Sequence, residues 1–245
     1  MPDTVVIIPT YNERDNVRKV ADAVLGHAPE ANLLFVDDNS PDGTGAVIDE
    51  LAQSDPGQRI HALHREDKQG LGPAYVAGFR RALDENYERI VQMDADLSHD
   101  PADVPRMISA AGKHDFVIGS RYIDGVRVVD WPMSRILLSR TAGAYTRLIT
   151  GLPVRDPTSG FCCWNREVLQ AIEPDTLTAT GYSFLVEMKY RAWMRGFRYL
   201  EHPIVFHERR SGESKMDARI VREAMLVMWR IAWRNGFRRR PRRAA

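Results

Sequence analysis

The segment TVVIIPTYNE, Thr4 to Glu13, starts with five consecutive β-branched residues and turns polar at Pro9-Thr10-Tyr11-Asn12-Glu13. An unbroken apolar run of this kind is a strand buried on both faces, because a half-exposed strand would alternate. Working outward, four more short runs repeat the pattern: Leu33 to Val36, Arg59 to Leu63, Arg89 to Met93 and Phe116 to Gly119. Between them, residues 16–25, 44–53, 74–85 and 102–111 carry apolar residues at helical spacing. Strand alternating with helix predicts an α/β fold built on a mostly parallel, doubly wound sheet flanked by helices. Such sheets bind ligands beyond the carboxyl ends of their strands.

Three of those ends are polar. The first strand runs into Pro9-Thr10-Tyr11-Asn12-Glu13, the second into Asp37-Asp38-Asn39-Ser40-Pro41-Asp42-Gly43-Thr44, and the fourth into Asp94-Ala95-Asp96. Carboxylates gathered at one edge repel unless a cation or hydrogen-bond donors offset them. From about Trp131 the rhythm changes: 134–150 and 182–195 read as helices, 161–164 and 199–206 as strands. No internal repeat interrupts the chain, and one main domain is expected.

Asp94-Ala95-Asp96 is the sharpest local motif. Two carboxylates around a small residue after a buried strand suit a hard divalent cation and leave positions open for diphosphate oxygens. A helix N-cap before Pro101 accounts for Ser98 or Asp100, and not for the two acids that precede the turn. Asp38 suits a ribose hydroxyl or base edge as an acceptor, while Pro41, Asp42 and Gly43 are read mainly as a turn and helix start. A dinucleotide fingerprint does not follow the first strand, and Gly70-Leu71-Gly72 has Tyr75 where the third glycine would stand. Neither a phosphate-binding P-loop nor a G-x-S-x-G elbow is present, and the seven histidines show no metal spacing.

Basic residues form a second group. Arg121 follows the fifth strand, Arg135 lies fourteen residues on, and Arg209, Arg210 and Lys215 sit in E-R-R-S-G-E-S-K. Guanidinium matches phosphate geometry bidentately, so the group is a candidate phosphate clamp.

Charge is segregated. The 245-residue chain has a formal charge of +1, yet residues 1–208 hold 22 Lys+Arg against 30 Asp+Glu and residues 209–245 hold 12 against 3. Six arginines fall between Arg234 and Arg243 with no acid among them. Just before them, Met225, Leu226, Trp229, Ile231 and Trp233 alternate with Arg222 and Arg230, an amphipathic pattern that suits an anionic bilayer. A helix docked on the body with a basic tail is the other reading. No nucleic-acid-binding motif accompanies the arginines, so no nucleic-acid partner is expected. No apolar run reaches about 18 residues, and no basic leader precedes the first strand. The adjacent Cys162 and Cys163 fit neither a disulfide nor a cysteine metal site, which points to a reducing, cytoplasmic setting.

V-I-I-P-T-Y-N-E, V-D-D-N-S-P-D-G-T, G-L-G-P-A-Y, M-D-A-D-L-S-H and R-R-S-G-E-S-K, in this order across residues 4–217, resemble family-2 glycosyltransferases of the GT-A fold. Within that family the set is most similar to the polyprenol-phosphate (dolichol-phosphate) mannose synthases. The resemblance implies inverting transfer of mannose from GDP-mannose to a polyprenyl monophosphate. It implies Pro9, Tyr11, Glu13, Val36, Asp38, Asp94, Ala95, Asp96, Arg209 and Lys215 at the nucleotide sugar. Asp94 and Asp96 would hold Mg²⁺ or Mn²⁺. Arg121 and Arg135 would meet the acceptor phosphate, with Asp96 and Arg121 carrying catalysis. Ser98 stands where some relatives carry a Gln that joins the metal shell. Members often continue into transmembrane helices; this chain stops before any, and so is expected to reach its lipid peripherally, on the cytoplasmic face, or through a membrane-protein anchor. The expected division is a GT-A domain over 1–217 and an amphipathic helix with an Arg-rich tail over 218–245. A glucosyltransferase using UDP-glucose, and a catalytically silent nucleotide-sugar binding module, are the rival readings.

Overall fold

A computed structural model describes residues 3–177, 179, 181–208, 218–234 and 236. The first half alternates strictly: β1 (Thr4–Thr10), α1 (Arg14–His27), β2 (Asn32–Asp37), α2 (Thr44–Ser54), β3 (Ile60–His64), α3 (Leu71–Asp84), β4 (Arg89–Gln92), α4 (Val104–Ala111) and β5 (Phe116–Ser120). The second half holds β6 (Val128–Val129), α5 (Met133–Thr150), β7 (Cys162–Asn165), α6 (Arg166–Ile172), α7 (Gly181–Met194), β8 (Tyr199–Pro203), β9 (Phe206–His207) and α8 (Ala218–Arg234). The expected strand over 199–206 divides into β8 and β9, which join different sheets.

Seven strands form the main sheet in the order β3-β2-β1-β4-β7-β5-β8. All neighbours run parallel except β7, which is antiparallel to both β4 and β5. The expected mostly parallel, helix-flanked sheet is therefore present. From β1 the chain winds outward to β2 and β3, then returns across to β4 on the other side of β1. That reversal opens a crevice beyond the carboxyl ends of β1 and β4, where doubly wound sheets bind ligands.

Two apolar layers clamp the sheet. Alternate residues of β1 point each way: Val6 and Ile8 meet Val17, Val20 and Val24 of α1, while Val5 and Ile7 meet Tyr75 and Phe79 of α3. Gly78 lets α3 sit tight on the sheet, since a Cβ there would lie 2.6 Å from the Ile7 Cγ2. Cys162 and Cys163 are both free and buried in this sheet, and burial pushes their thiols up to about 11 and about 12. They are structural residues, not nucleophiles.

α8 packs against α5 and α7, burying Val227, Met228 and Ile231 while Met225, Leu226, Trp229 and Trp233 face outward. Among the described residues, no helix is long and apolar enough to cross a membrane.

Candidate active site

The three polar strand ends meet in one edge. Each turns through a residue with left-handed backbone: Asn12 (φ 59°) after β1, Asn39 (φ 55°) after β2 and Leu97 (φ 58°) after β4. Asparagine tolerates this region, whereas a leucine there is strained. Strain at Leu97 is what re-aims the chain immediately after Asp96. The first two loops are laced together, with the Asn12 N–H donating to Ser40 Oγ (3.1 Å) and the Glu13 N–H to Thr44 Oγ1 (3.0 Å). The Asn16 amide in turn donates to Glu13 Oε2 at 2.7 Å. Tyr11 lies beneath the Lys68 ammonium, 3.6 Å from its ring centre. Asp42 accepts from the Thr44 hydroxyl and N–H, which makes 41–44 the turn and helix start expected of it.

Asp37 is absorbed by structure: Thr10 and Ser40 hydroxyls donate to it at 2.9 and 2.6 Å. Asp38 is nearly buried and faces Arg65, whose Nη1 donates at 2.5 Å, with the Gly70 N–H at 3.4 Å. The Val36 side chain is wholly buried in the apolar layer against α3, so the edge does not present it. Pro9 is half-buried at the edge itself.

Asp94 and Asp96 are half-buried and separated by the buried Ala95. Tyr75 Oη donates to Asp94 Oδ1 at 3.4 Å, and burial followed by the Asp94 charge pushes the phenol far up, so it stays a donor. Gly160 packs beside the same carboxylate, which lies 3.5 Å from where a Cβ would be. Ser98 donates to Asp96 Oδ1 from its hydroxyl (2.5 Å) and its N–H (3.1 Å). Asp100, not Ser98, caps the following helical turn, accepting from the Ala102 N–H at 2.9 Å. The donor set is hard oxygen from two carboxylates; among the described residues no cluster of three or more His, Cys, Asp or Glu forms. Two carboxylates fit a cation that fills its remaining positions with water and phosphate oxygens, as Mg²⁺ does.

Arg121 lies on the other wall, nearly buried. Its Nε and Nη2 donate to Asp156 at 2.7 and 2.6 Å, its backbone N–H adds a third bond at 3.0 Å, and Thr158 Oγ1 accepts from Nη2. Burial opposes the Asp156 charge, but the Arg121 guanidinium and these donors hold the carboxyl below its ordinary range. The wholly buried Lys189 fixes the adjoining loop by donating to the carbonyls of Pro157, Ser159 and Leu185. Arg135, at the start of α5, pairs with Glu208 at 2.6 Å and stacks 4.0 Å from the Trp131 ring centre.

An aromatic wall joins the two groups. His99 receives the Asp94 N–H on Nδ1 at 3.3 Å, stacks on Phe161 and meets the edge of Phe206. Phe206 continues to Trp131, and Arg121 lies within 5.6 Å of both rings. Burial lowers the His99 pKa despite the neighbouring carboxylates, so its ring is neutral and positions the loop. The edge thus gathers Pro9, Tyr11, Glu13, Asp38, Asp94, Ala95 and Asp96, with Arg121 and Arg135 across the wall. Arg209 and Lys215, expected at phosphates, lie outside the described residues. No local spacing marks Asp156, Arg65, Phe206 or Trp131 as site residues, and His99 ends the quoted M-D-A-D-L-S-H motif without its wall-forming role being visible there.

The sequence model of Glycosyl transferase family 2 matches residues 5–173. The "Polyprenol monophosphomannose synthase" of Mycolicibacterium smegmatis is 46% identical over 94% of this chain and 88% of its own length. The "Undecaprenyl-phosphate mannosyltransferase" of Micrococcus luteus is 44% identical over 96% and 97%. Among solved structures, a mannosyltransferase from Pyrobaculum calidifontis in complex with GDP-Man and Mn²⁺ superposes with a TM-score of 0.64 at 20% identity, over 95% of this chain and 64% of that one.

Proposed function

The chain belongs to glycosyl transferase family 2, and from that premise we propose that it transfers mannose from GDP-mannose to a polyprenyl monophosphate, with inversion, releasing GDP. The reaction is supported most by one observation. One aromatic wall of His99, Phe206 and Trp131 links the half-buried Asp94–Asp96 loop to Arg121 and Arg135, in a chain whose relatives named for this reaction match over nearly its full length.

Asp94 and Asp96 would hold a divalent cation, Mg²⁺ or Mn²⁺, which when bound would supply charge neutralisation at the departing diphosphate. Pro9, Tyr11, Glu13 and Asp38 take the nucleoside, and Arg209 and Lys215 meet phosphate. Arg121, made rigid by Asp156, and Arg135, steered by Trp131 and Glu208, orient the acceptor phosphate. That phosphate is already anionic at neutral pH, so its oxygen attacks the anomeric carbon while the bond to diphosphate breaks and its electron pair leaves with GDP. No general base is needed, and alignment with charge stabilisation carries the rate. Transfer of label from GDP-mannose, and not from UDP-glucose, into a polyprenyl phosphate in the presence of Mg²⁺ tests the assignment. Label entering lipid only from the UDP donor would overturn it.

Residues 1–217 form the catalytic unit, and 218–245 attach it peripherally to the cytoplasmic face of the membrane, beside any protein anchor. The outward Leu226, Trp229 and Trp233 of α8 support this, with the terminal arginines following them. Deleting residues 234–245 is expected to weaken binding to anionic vesicles by about 1 kcal/mol for each arginine lost, less at high salt.

A further inference from the structure

A second basic cluster lies outside the site described above. Arg140 and Arg147 of α5, with Arg155 and Pro153 from the segment after it and Tyr122 after β5, wall a cleft of about 390 Å³. Arg147 Nη1 donates to the Arg155 carbonyl at 3.0 Å, and Arg155 Nη1 donates to the Ile123 carbonyl at 3.0 Å. These neutral acceptors fix two guanidiniums without neutralising them. Glu201, the nearby acid, spends its carboxylate on the backbone N–H groups of Arg155 and Asp156. Among the described residues no carboxylate pairs with any of the three guanidiniums within 4.0 Å, in contrast to Arg121 and Arg135. Three like charges held together around a cavity repel one another, and an anion relieves that repulsion.

We infer that this cleft binds a phosphate group, separately from the carboxylate edge, and that the phosphate belongs to a lipid headgroup. The neighbouring surface names the source. Met133, Leu137 and Leu148 share one outward stripe of α5 and are 68%, 58% and 65% exposed. Arg140 and Arg147, seven residues apart, line the flank of that stripe. α8, with its exposed Leu226, Trp229 and Trp233, packs alongside α5. Apolar side chains for the acyl boundary thus adjoin guanidiniums at headgroup depth, which is the composition of an interfacial helix. A soluble phosphate would need the cleft but not the stripe.

The full chain is floated with vesicles of phosphatidylcholine alone or mixed equally with phosphatidylglycerol. Replacing Arg140, Arg147 and Arg155 together by Gln is expected to weaken binding to the anionic vesicles on the order of 100-fold and to leave binding to neutral vesicles unchanged. The single substitution Arg140→Gln, at an exposed side chain, is expected to cost about fivefold, and the triple Lys variant to keep most of the affinity. Unchanged affinity in both Gln variants overturns the proposal, and GDP binding in the presence of Mn²⁺ verifies that they are folded. Two further arms separate the sources. Inorganic phosphate binding the wild type below millimolar, with vesicle affinity unmoved in the triple variant, makes the ligand a soluble phosphate and overturns the lipid assignment. A rise in KM for a short-chain, water-soluble polyprenyl phosphate equal to the vesicle loss merges the cleft with the acceptor site and overturns its separateness; an unchanged KM supports it. Vesicle binding requires no sugar transfer, so a negative result leaves the transferase assignment standing.

Discussion

The carboxylates at the ends of β2 and β4 and the arginines flanking α5 are held by different means. Asp96 is fixed by Ser98 two residues on, Asp37 by Ser40 three residues on, and Asp42 by Thr44 two residues on. Arg121 depends on Asp156, 35 residues away, and Arg135 on Glu208, 73 residues away. Those hydroxyl bonds form as soon as their own loops form, while Thr10, Arg65 and Tyr75 reach Asp37, Asp38 and Asp94 from other elements. Asp94 and Asp96 keep part of their surface toward solvent, where a cation can reach them. The second group forms only when both halves of the chain have docked. Its central pair is then rigid and dry. A metal site needs charge that is oriented and accessible, whereas an arginine that must present one fixed edge gains from a buried counter-ion.

Breaking the long-range pairing is expected to do the most damage. Asp156→Ala leaves the buried Arg121 charge without its partner and should destabilise the fold by about 3–5 kcal/mol, measured by urea unfolding. With Asp156→Asn the pH dependence sharpens the point. Because the native carboxyl sits below its ordinary range, its contribution is complete at neutral pH and is lost as pH falls through that lowered value. The stability gap between wild type and Asp156→Asn should therefore be constant above pH 5 and narrow in acid. Breaking the local pairing should cost less: Ser98→Ala removes a single hydroxyl from a half-exposed carboxylate and should cost about 1 kcal/mol. Arg135→Ala should cost less still in stability, under about 1 kcal/mol, since its pair with Glu208 is partly solvated and screened. A loss at Ser98 equal to that at Asp156 would erase the distinction between the two regions.

The same distinction governs what could be read from residues alone. The alternating strands and helices up to Ser120, and the polar strand ends, announce themselves through local periodicity and short spacing. The start of α3 at Leu71, three residues before its expected onset, follows from Gly70 at φ 98°, which turns the chain before the apolar spacing begins. The antiparallel β7 was legible as a strand, but its direction depends on where α5 and the segment after it deliver the chain. Asp156 carries no mark of its role, because a partner 35 residues distant is chosen by packing. His99 reads as an ordinary histidine until Phe161 and Phe206 close on it. Val36 shows the converse: a motif placed it at the nucleotide, while the pleat turns its side chain into the core.

The most direct test of the carboxylate edge is calorimetric binding of GDP to the wild type and to Asp96→Asn, each with and without Mn²⁺. Mn²⁺ is expected to tighten GDP binding to the wild type by at least about tenfold and to leave Asp96→Asn nearly unchanged. Equal tightening in both proteins would contradict this expectation and move the metal away from Asp94 and Asp96.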